Sequence, residues 1–296
     1  MLEQLLILDG NHLAYRAYYK FNKLKTLEGK NTSIIYGMTY IIESLIRRFG
    51  PNKVIIAFDG GSHKYRKDLL PDYKQREKKL GFNAEDFYHQ RDVSIDMLKS
   101  LGLPIVYKRG FEADDLITQL VKRFKRLGWD IVIITGDKDF NQLIDENVSI
   151  YNVTRNKLLT NLNLKLIVGY EPNQTVDFLC LAGDSSDHIK GYHGIGEKKA
   201  LNLLNEFKSI KNFLTKKEKM GKINPDALLE VYRFNKKLID LRHFYRKFLL
   251  KEPIPYLIDK PEFDLDTFKN ICGDHETSSF LKPQFINTFK DLYNGK

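Results

Sequence analysis

Short apolar runs rich in β-branched residues alternate with longer segments of helical periodicity through the first half of the chain. Four runs have the character of strands: QLLILD (4–9), VIIAFD (54–59), PIVY (104–107) and IVIIT (131–135). Between them, apolar residues recur at spacings of three and four, which predicts helices at 33–48, 91–101 and 114–127. This order of strands and helices predicts an α/β fold with a mostly parallel central sheet and helices on both faces.

The second half of the chain has a different pattern, because the strand signals fade after residue 160. Helices are predicted there at 173–182, 198–206, 226–250 and 266–271. We therefore expect an α/β unit over 1–170 and a helical unit over 171–296. The basic, tyrosine-bearing segment 62–90 carries no convincing strand, and we expect it to lie outside the sheet as helices or a loop.

Acidic residues stand at the carboxyl ends of the predicted strands and in one later loop. They are Asp9, Asp59, Glu112, Asp114, Asp115, Asp137, Asp139, Asp184 and Asp187. The carboxyl ends of parallel strands meet at one edge of a sheet, so these nine carboxylates would share one cleft. Two carboxylates about 6 Å apart repel each other by roughly 3 kcal/mol at an effective dielectric constant near 20. The cluster therefore predicts either protonated carboxyl groups or bound divalent cations, and oxygen ligands without His or Cys favour Mg²⁺ or Mn²⁺.

Each acidic group also has an ordinary structural explanation. A lone aspartate after a strand, such as Asp9 or Asp59, commonly caps a helix or closes a turn. Acidic residues in the first turn of a helix, as at 112–115, are favoured by the helix dipole. The arrival of several such groups at predicted strand ends favours a metal cluster, in which two ions about 4 Å apart would hold the attacking and leaving oxygens of a phosphoryl displacement.

Three glycines in the segment IKGYHGIGEKKALNLL (189–204) predict a tight turn between two helices. Gly194 and Gly196 are followed by Lys198 and Lys199, which is the pattern of a helix–hairpin–helix over about 188–206. Backbone N–H groups at the start of its second helix would bind a phosphate without reading a base. A plain glycine connection between helices is the alternative.

Positive charge is in excess, with 48 Lys and Arg residues against 38 Asp and Glu and a net charge of +10. The excess is concentrated at 197–251, with fifteen basic and six acidic residues, and at 62–81, with seven and three. Such blocks favour a polyanion partner, most often nucleic acid, although solvated helix faces would look similar. No run of about 18 apolar residues marks a membrane span. Two cysteines are too few for a disulfide framework, so we expect a reduced, cytoplasmic setting.

Together these residues resemble the flap endonuclease and 5′-3′ exonuclease family, which includes the N-terminal nuclease domain of bacterial DNA polymerase I and stand-alone bacteriophage enzymes. The matching stretches, in family order, are LILDGNHLAYRAYY, IIAFDGG, YRKDLLPDYKQRE, GFEADD, ITGDKDFNQL and AGDSSDHIKGYHGIGEKKA. The bacterial polymerases usually have Asn and Pro where this chain has His188 and Lys190. The absence of a polymerase region before Lys296 fits a stand-alone phage-type or bacterial enzyme, and an excised part of a longer protein would look the same.

The resemblance implies a PIN-like fold and a structure-selective 5′ nuclease, both exonuclease and flap endonuclease, that acts on branched or nicked DNA in replication or repair. It implies that the nine acidic residues hold two Mg²⁺ ions, for which Mn²⁺ can substitute, with Asp9, Asp59 and Asp137 among the catalytic groups. The segment 62–90 matches a helical arch through which a single-stranded 5′ end passes. The hairpin in this family often binds a monovalent cation, for which K⁺ is the candidate here.

The resemblance also implies individual contacts with the substrate. Lys74 and Arg66 match residues that approach the scissile phosphate, and Lys74 is the catalytic candidate of the two. Tyr73 and Arg76 belong to the same Y-K-x-R motif, in which an aromatic ring would stack on an unpaired base. The full set of predicted DNA-binding residues is Arg16, Arg66, Tyr73, Arg76, Gly194, Gly196, Lys198 and Lys199.

Two other functions stay open on the sequence. One is RNase H-like removal of RNA primers from RNA–DNA hybrids, and the other is a branched-DNA-binding protein that has lost catalysis. The second predicts missing carboxylates, whereas all of them are present. We expect a monomer that does not bind membranes, with a polymerase or a single-strand-binding protein as the candidate recruiting partner. A phage-encoded enzyme would act in the host cytoplasm.

Overall fold

The computed structural model describes residues 3–74, 82–251, 253 and 261–295. Its strands are β1 (Gln4–Asp9), β2 (Lys53–Phe58), β3 (Ile105–Tyr107), β4 (Asp130–Ile134), β5 (Val148–Asn152), β6 (Lys157–Leu159), β7 (Gly183–Asp184) and β8 (Ile189–Lys190). Its helices are α1 (Gly10–Lys20), α2 (Ser33–Phe49), α3 (Lys64–Leu69), α4 (Ala84–Ser100), α5 (Ala113–Arg126), α6 (Leu164–Val168), α7 (Thr175–Ala182), α8 (Glu197–Phe207), α9 (Ile210–Leu214), α10 (Pro225–Ile239), α11 (Leu241–Phe244), α12 (Leu265–Asp274) and α13 (Pro283–Asn294).

Six of these strands form one sheet in the order β3-β2-β1-β4-β5-β6. Every neighbouring pair is parallel except β5 and β6, which are antiparallel. The predicted mostly parallel sheet is confirmed, and β1 to β4 lie within a residue of their predicted positions. The sequence did not predict β5 or β6, because each is short and mixes polar with apolar residues. The strands β7 and β8 pair separately, as a small antiparallel hairpin.

Alternate residues of the central strands pack against two different layers of helices. On β1, Leu5 and Ile7 belong to one core, whereas Leu6 and Leu8 belong to the other, and all four are fully buried. A parallel strand that is covered on both faces reads as a continuous apolar run, as this one does. The prediction of helices on both faces is therefore confirmed.

The predicted arch segment contains α3 and the first part of α4. Asn83 begins α4 by accepting a hydrogen bond from the backbone N–H of Asp86 (3.1 Å), so the helix starts well before the predicted 91. Residues 75–81, including Arg76, lie outside the described residues.

The second half of the chain is mainly helical, as predicted, but its boundaries differ in two places. The predicted helix 226–250 ends at Asp240, whose carboxylate accepts the backbone N–H of His243 (3.0 Å) and starts α11. One π-helical turn, Tyr245–Leu249, follows. An acidic side chain that can cap a new helix interrupts the old one, and the apolar periodicity alone does not reveal this.

The last two helices, α12 and α13, pack against the first half of the chain. Phe268 and Phe289 are fully buried in the core that contains α2 and α4, and Phe280 stacks on Tyr36 with ring centroids 4.9 Å apart. The sequence predicted α12 but not α13. A boundary between two units at residue 170 stays a prediction.

No helix in the described ranges is long and apolar enough to cross a membrane.

Candidate functional site

Two aspartates lie where the neighbouring strands β1 and β4 end. Asp9, the last residue of β1, is 7% exposed and accepts hydrogen bonds from the His12 backbone N–H (3.0 Å) and the Thr135 hydroxyl (2.9 Å). Thr135 directly follows β4 and also accepts the backbone N–H of Asp137 (3.1 Å). Asp137 in turn accepts the backbone N–H of Asp139 (2.9 Å). This chain of bonds fixes three carboxylates relative to the ends of two strands.

The N-terminus of α5 brings further carboxylates to the same edge. Asp59, which follows β2, accepts the backbone N–H of Ala113 (2.8 Å) and a side-chain N–H of Asn11. Glu112 is the N-cap of α5 and is 3% exposed, and Asp114 lies in the first turn of the helix. The positive end of the helix dipole favours these negative charges, so the helix start stabilises an acidic group here.

The turn between β7 and β8 supplies the remaining two carboxylates. Asp184 is 3% exposed and accepts hydrogen bonds from the Ser186 backbone N–H (3.0 Å) and hydroxyl (2.5 Å). The ammonium of Lys138 lies 3.4 Å from the Asp184 carboxylate. Asp187 lies at the end of the same turn, and its carboxylate is 3.7 Å from the Lys74 ammonium, which also contacts Asp114 (3.0 Å). The turn therefore belongs to the same acidic cleft.

Lys74 enters this cleft from the segment that follows α3. Its Nζ lies 2.9 Å from Glu112 Oε2, 3.0 Å from Asp114 Oδ2 and 3.7 Å from Asp187 Oδ2. Burial alone would lower the pKa of Lys74, but the carboxylates of Asp114 and Glu112 outweigh it and hold that pKa well above its ordinary value. The backbone of Lys74 is left-handed (φ 51°), a conformation that costs a non-glycine residue free energy and persists when its surroundings hold it.

Burial and mutual repulsion raise the pKa of several of the carboxyl groups. Burial, followed by the charge of Asp114, raises the pKa of Asp9 to about 8 and that of Asp137 to about 6. Burial raises the pKa of Asp187 to about 7. Burial and the neighbouring carboxylate of Asp137 hold the pKa of Asp139 well above its usual range. The cleft therefore carries more negative charge than its own cations neutralise.

The donor set of the cleft fits hard divalent cations. In the part of the chain that the structure describes, no three Asp, Glu, His or Cys side chains already surround a common point for an ion. Two buried carboxylate oxygens, Glu112 Oε1 and Asp139 Oδ1, have no hydrogen-bond partner, and the Lys74 ammonium already holds a cationic position among three carboxylates. Unsatisfied buried oxygens and raised pKa values are what bound Mg²⁺ or Mn²⁺ would relieve.

Three predicted site residues, Arg66, Tyr73 and Asp115, bind other side chains of the protein and do not face DNA or a metal ion. Arg66 is 1% exposed, and its guanidinium donates to both carboxylate oxygens of Asp115 at 2.7 and 2.9 Å. The Phe244 ring covers the guanidinium, with 3.9 Å between its carbon and the ring centroid. Tyr73 is 5% exposed and donates its hydroxyl to Glu112 (3.2 Å). In this structure, then, Arg66 and Tyr73 do not present a DNA-binding surface and Asp115 is not a free metal ligand. A bidentate buried ion pair satisfies Arg66 and Asp115, and Glu112 accepts the Tyr73 hydroxyl.

The glycine segment forms the predicted tight turn before a helix, but the short strand β8 comes directly before it instead of a helix, because Ile189 and Lys190 pair with Asp184 and Gly183. Gly194 has φ 78°, a left-handed conformation that glycine adopts readily, and Gly196 precedes α8 as its N-cap. Ile195 is 3% exposed and anchors the turn in the core, whereas both glycines are exposed. Lys198 and Lys199 are exposed in the first turn of α8, and Lys199 donates to the Gly194 carbonyl (3.2 Å). The turn thus presents a helix N-terminus and two lysines to solvent.

The departure from the bacterial polymerase pattern at position 188 has a structural role. His188 has φ 59°, and its Nδ1 lies 2.9 Å from the backbone oxygen of Asp72. The backbone N–H of Lys74 donates to the Asp187 carbonyl (3.4 Å) beside it. These contacts join the segment after α3 to the β7–β8 turn, so they fix how Lys74 enters the cleft.

Several groups near the cleft were not singled out from the sequence. Asn11 and Thr135 hold Asp59 and Asp9 in place, and Lys138 pairs with Asp184. Lys138 lies between two predicted ligands in TGDKD, so its position was a visible signal. Asn11 and Thr135 are neutral residues that a single sequence does not distinguish from loop residues. The predicted contact residue Arg16 donates to the Thr154 hydroxyl (3.2 Å), in the turn that follows β5.

Known families and proteins match the chain over most of its length. The family model described as the 5′-3′ exonuclease N-terminal resolvase-like domain matches residues 4–168, and that of the 5′-3′ exonuclease C-terminal SAM fold matches residues 170–246. A 5′-3′ exonuclease of Aquifex aeolicus is 32% identical over 281 residues, which is 95% of either chain. One of Mycoplasmopsis pulmonis is 35% identical over 87% of this chain and 90% of its own. DNA polymerase I of Caldicellulosiruptor bescii is 37% identical over 73% of this chain, but that match spans only 26% of the polymerase.

Solved structures with the same fold come from bacteriophage T5. The T5 flap endonuclease in a pseudo-enzyme–product complex with DNA and metal ions has a TM-score of 0.69 at 22% identity, over 99% of this chain and 100% of that one. The T5 5′-exonuclease with bound zinc has a TM-score of 0.64 at 20% identity, over 99% and 100%. At this identity the likeness shows a shared fold, which extends through α12 and α13.

Proposed function

The chain belongs to the 5′-3′ exonuclease family, and from that premise we propose that it is a structure-selective 5′ nuclease that hydrolyses the 5′ strand of flap, nicked or otherwise branched DNA. The observation that carries the proposal is the single acidic cleft at the carboxyl end of the sheet, with the Lys74 ammonium bound among three of its carboxylates. Such a cleft repels phosphate unless cations are present, so binding and cleavage of DNA there depend on them.

We propose that the cleft holds two Mg²⁺ ions, for which Mn²⁺ can substitute. The residues that would hold them are Asp9, Asp59, Glu112, Asp114, Asp137, Asp139, Asp184 and Asp187. Asp115 is left out of this set because Arg66 occupies both of its oxygens. Bound divalent ions would supply electrostatic stabilisation of the phosphoryl charge and an activated water.

The protein's own groups would position the reaction. Hydrogen bonds from Thr135, Asn11 and backbone N–H groups hold the carboxylates still, so little reorganisation is needed when a phosphate arrives. Lys74 lies at the edge of the same cluster, where its ammonium can turn from the carboxylates to the non-bridging oxygens of the scissile phosphate. Arg66, fixed by Asp115 and Phe244, keeps Glu112 in place beside it: its guanidinium lies 3.4 Å from the Glu112 carboxylate.

DNA binding outside the cleft is proposed to use the hairpin before α8. The exposed N-terminus of α8, with Gly194, Gly196, Lys198 and Lys199 around it, suits a backbone phosphate of duplex DNA. A K⁺ ion bound by carbonyls of the same turn is part of this proposal. We further propose that the segment containing α3 and the start of α4 receives the single-stranded 5′ end.

Cleavage of four 5′-labelled substrates tests this function. The substrates are a 5′ flap, a nicked duplex, an intact blunt duplex and a single strand, each with and without Mg²⁺. We expect cuts at or next to the junction of the flap and nicked substrates, much less cleavage of the others, and none without divalent ion. Equal cleavage of the single strand and the flap would contradict structure selection, and cleavage in excess chelator would contradict the metal site.

A further inference from the structure

A cavity of about 390 Å³ opens beside the acidic cleft on the side of Asp137. Its wall includes His12 from α1, Lys138 from the turn after β4, Arg155 from the turn after β5, and Ser186 from the β7–β8 turn. Lys74 lies at the other side of the cleft, against Glu112 and Asp114. The cavity thus shares Asp137 with the cleft, whereas Lys74 does not line it.

The polar groups of this cavity are arranged for an anionic ligand. Lys138 is 41% exposed, and Arg155 is exposed without a described acidic partner. His12 Nε2 is buried and has no hydrogen-bond partner. Space for the ring exists because residue 136 is glycine: a Cβ atom there would lie 2.4 Å from the His12 ring. The wall therefore offers two cations and a free imidazole nitrogen beside the carboxylate of Asp137, and one of the cations, Lys138, also pairs with Asp184.

The turn that carries Arg155 is held by its own hydrogen bonds. Asn152 accepts the backbone N–H groups of Thr154 (3.0 Å) and Arg155 (2.9 Å) through its side-chain oxygen. The same turn is tied to α1 by the bond from Arg16 to Thr154. Arg155 is therefore presented from a fixed backbone at the cavity mouth, which reduces the entropy lost when it binds a ligand.

The two lysines on either side of the cleft stand in matching relations to the β7–β8 turn. Lys74 lies 3.7 Å from Asp187, and Lys138 lies 3.4 Å from Asp184. A polyanionic strand that crosses the carboxylates therefore meets an ammonium before the cleft and another after it. We propose that the cavity between His12, Lys138, Arg155 and Ser186 is a subsite for a backbone phosphate of the cleaved strand, next to the scissile one. This inference rests on the proposed nuclease function.

The subsite is tested with Arg155→Ala, because this side chain is exposed and pairs with no described carboxylate. Binding of a fluorescent 5′-flap DNA is measured by anisotropy, with chelator and with Ca²⁺, over a range of salt. We expect about fivefold weaker binding at moderate salt and a salt slope smaller by roughly one phosphate contact. Arg123→Ala is the matched control, since it removes the same charge from the exposed far part of α5, and it is expected to change neither quantity.

Neutral methylphosphonate linkages, each of which removes the charge of one phosphate, identify the phosphate that Arg155 contacts. They are placed one at a time along the 5′ strand, and wild type and Arg155→Ala are compared on each substrate. At one linkage adjacent to the scissile one, the methylphosphonate should weaken wild type about as much as Arg155→Ala does, and the two changes together should cost no more than either alone. Independent, additive effects at every linkage would overturn the subsite, as would an Arg155→Ala salt slope equal to that of wild type.

A failure of the proposed subsite can be distinguished from a failure of the proposed nuclease function. If wild type fails to cleave flap DNA with Mg²⁺, the nuclease proposal fails whatever Arg155 does. If wild type cleaves but no linkage couples to Arg155, only the subsite is wrong. Thermal unfolding of both variants, which should match wild type within a few degrees because the residues are exposed, excludes misfolding as the cause.

Discussion

Replacing Lys74 by alanine is expected to have two opposite effects: tighter binding of divalent cations and slower cleavage. In the structure the ammonium contacts Glu112 (2.9 Å), Asp114 (3.0 Å) and Asp187 (3.7 Å), which are proposed metal ligands. Without DNA, a metal ion must compete with this ammonium for their oxygens. Once DNA is bound, the same ammonium is free to stabilise the phosphate. One substitution therefore removes a competitor and a catalytic group.

The contacts set the size of both effects. A hydrogen bond between charged groups contributes about 1.5–3 kcal/mol. Lys74 is 18% exposed, so solvent weakens its bonds and the lower part of that range applies. Divalent affinity should then rise roughly tenfold, since about 1.4 kcal/mol corresponds to a factor of ten. Loss of a positioned cation from a phosphoryl transition state typically costs about 3 kcal/mol, or roughly a hundredfold in rate.

Calorimetric titration with Mn²⁺ or Ca²⁺ in the absence of DNA measures the first effect, and single-turnover cleavage of flap DNA at saturating Mg²⁺ measures the second. Lys67→Ala is the matched control, because Lys67 lies seven residues earlier, in α3, and is exposed. Metal affinity that stays the same or falls in Lys74→Ala would refute the competition. A single-turnover rate within about threefold of wild type would refute the catalytic role and make Lys74 a structural lysine.

Three further results are expected. Asp137→Asn should nearly abolish cleavage at saturating Mg²⁺ while flap binding persists or improves, because one repulsive charge is gone; near-normal turnover would exclude Asp137 as a ligand. Replacing Lys198 and Lys199 together by alanine should lower the slope of log K against log salt for duplex DNA binding by up to about two units. An unchanged slope would mean that the glycine turn before α8 does not contact the DNA backbone. The metal-free protein should lose thermal stability as pH rises from 4 toward 8. Folding raises the carboxyl pKa of Asp9 from 3.8 to about 8 and that of Asp187 from 3.8 to about 7, so the folded state binds more protons than the unfolded state in this window. Because those protons are lost as pH rises, the folded state loses stability. Mg²⁺ should restore more stability at the alkaline end, and equal melting temperatures with chelator across this range would contradict the raised pKa values.

The acidic edge was predictable because its residues are tied to strand ends. The strands β1, β2 and β4 are continuous apolar runs that end at or just before Asp9, Asp59 and Asp137. A parallel arrangement brings such ends together whatever the details of packing. Periodicity and residue type were therefore enough to place these carboxylates at one edge of the sheet.

The sequence did not reveal which of the predicted site residues are buried. Arg66 and Tyr73 stand in a basic segment next to Lys74, and charge alone gives them the same role. In the fold, α3 turns Arg66 inward against Asp115 and Phe244, more than a hundred residues away in the case of Phe244. A contact of that sequence separation depends on how the helical region packs on the sheet, and no local pattern encodes it. The interruption at Asp240 has a different origin: its carboxylate caps α11 locally, and apolar periodicity alone does not reveal such a cap.

The polarity of the cut and its products test the central claim most directly. A duplex with a labelled 5′ flap is cleaved with Mg²⁺ under single-turnover conditions, and the nicked product is then offered to a DNA ligase. Attack of water on the scissile phosphate expels the 3′ oxygen of the flap, which predicts one main cut at the junction, a 3′ hydroxyl on the released flap and a 5′ phosphate on the duplex. The ligase should then seal the nick between this 5′ phosphate and the 3′ hydroxyl of the upstream strand. Cleavage of the opposite strand, digestion from the 3′ end, or a product with a 5′ hydroxyl that cannot be sealed would contradict the account.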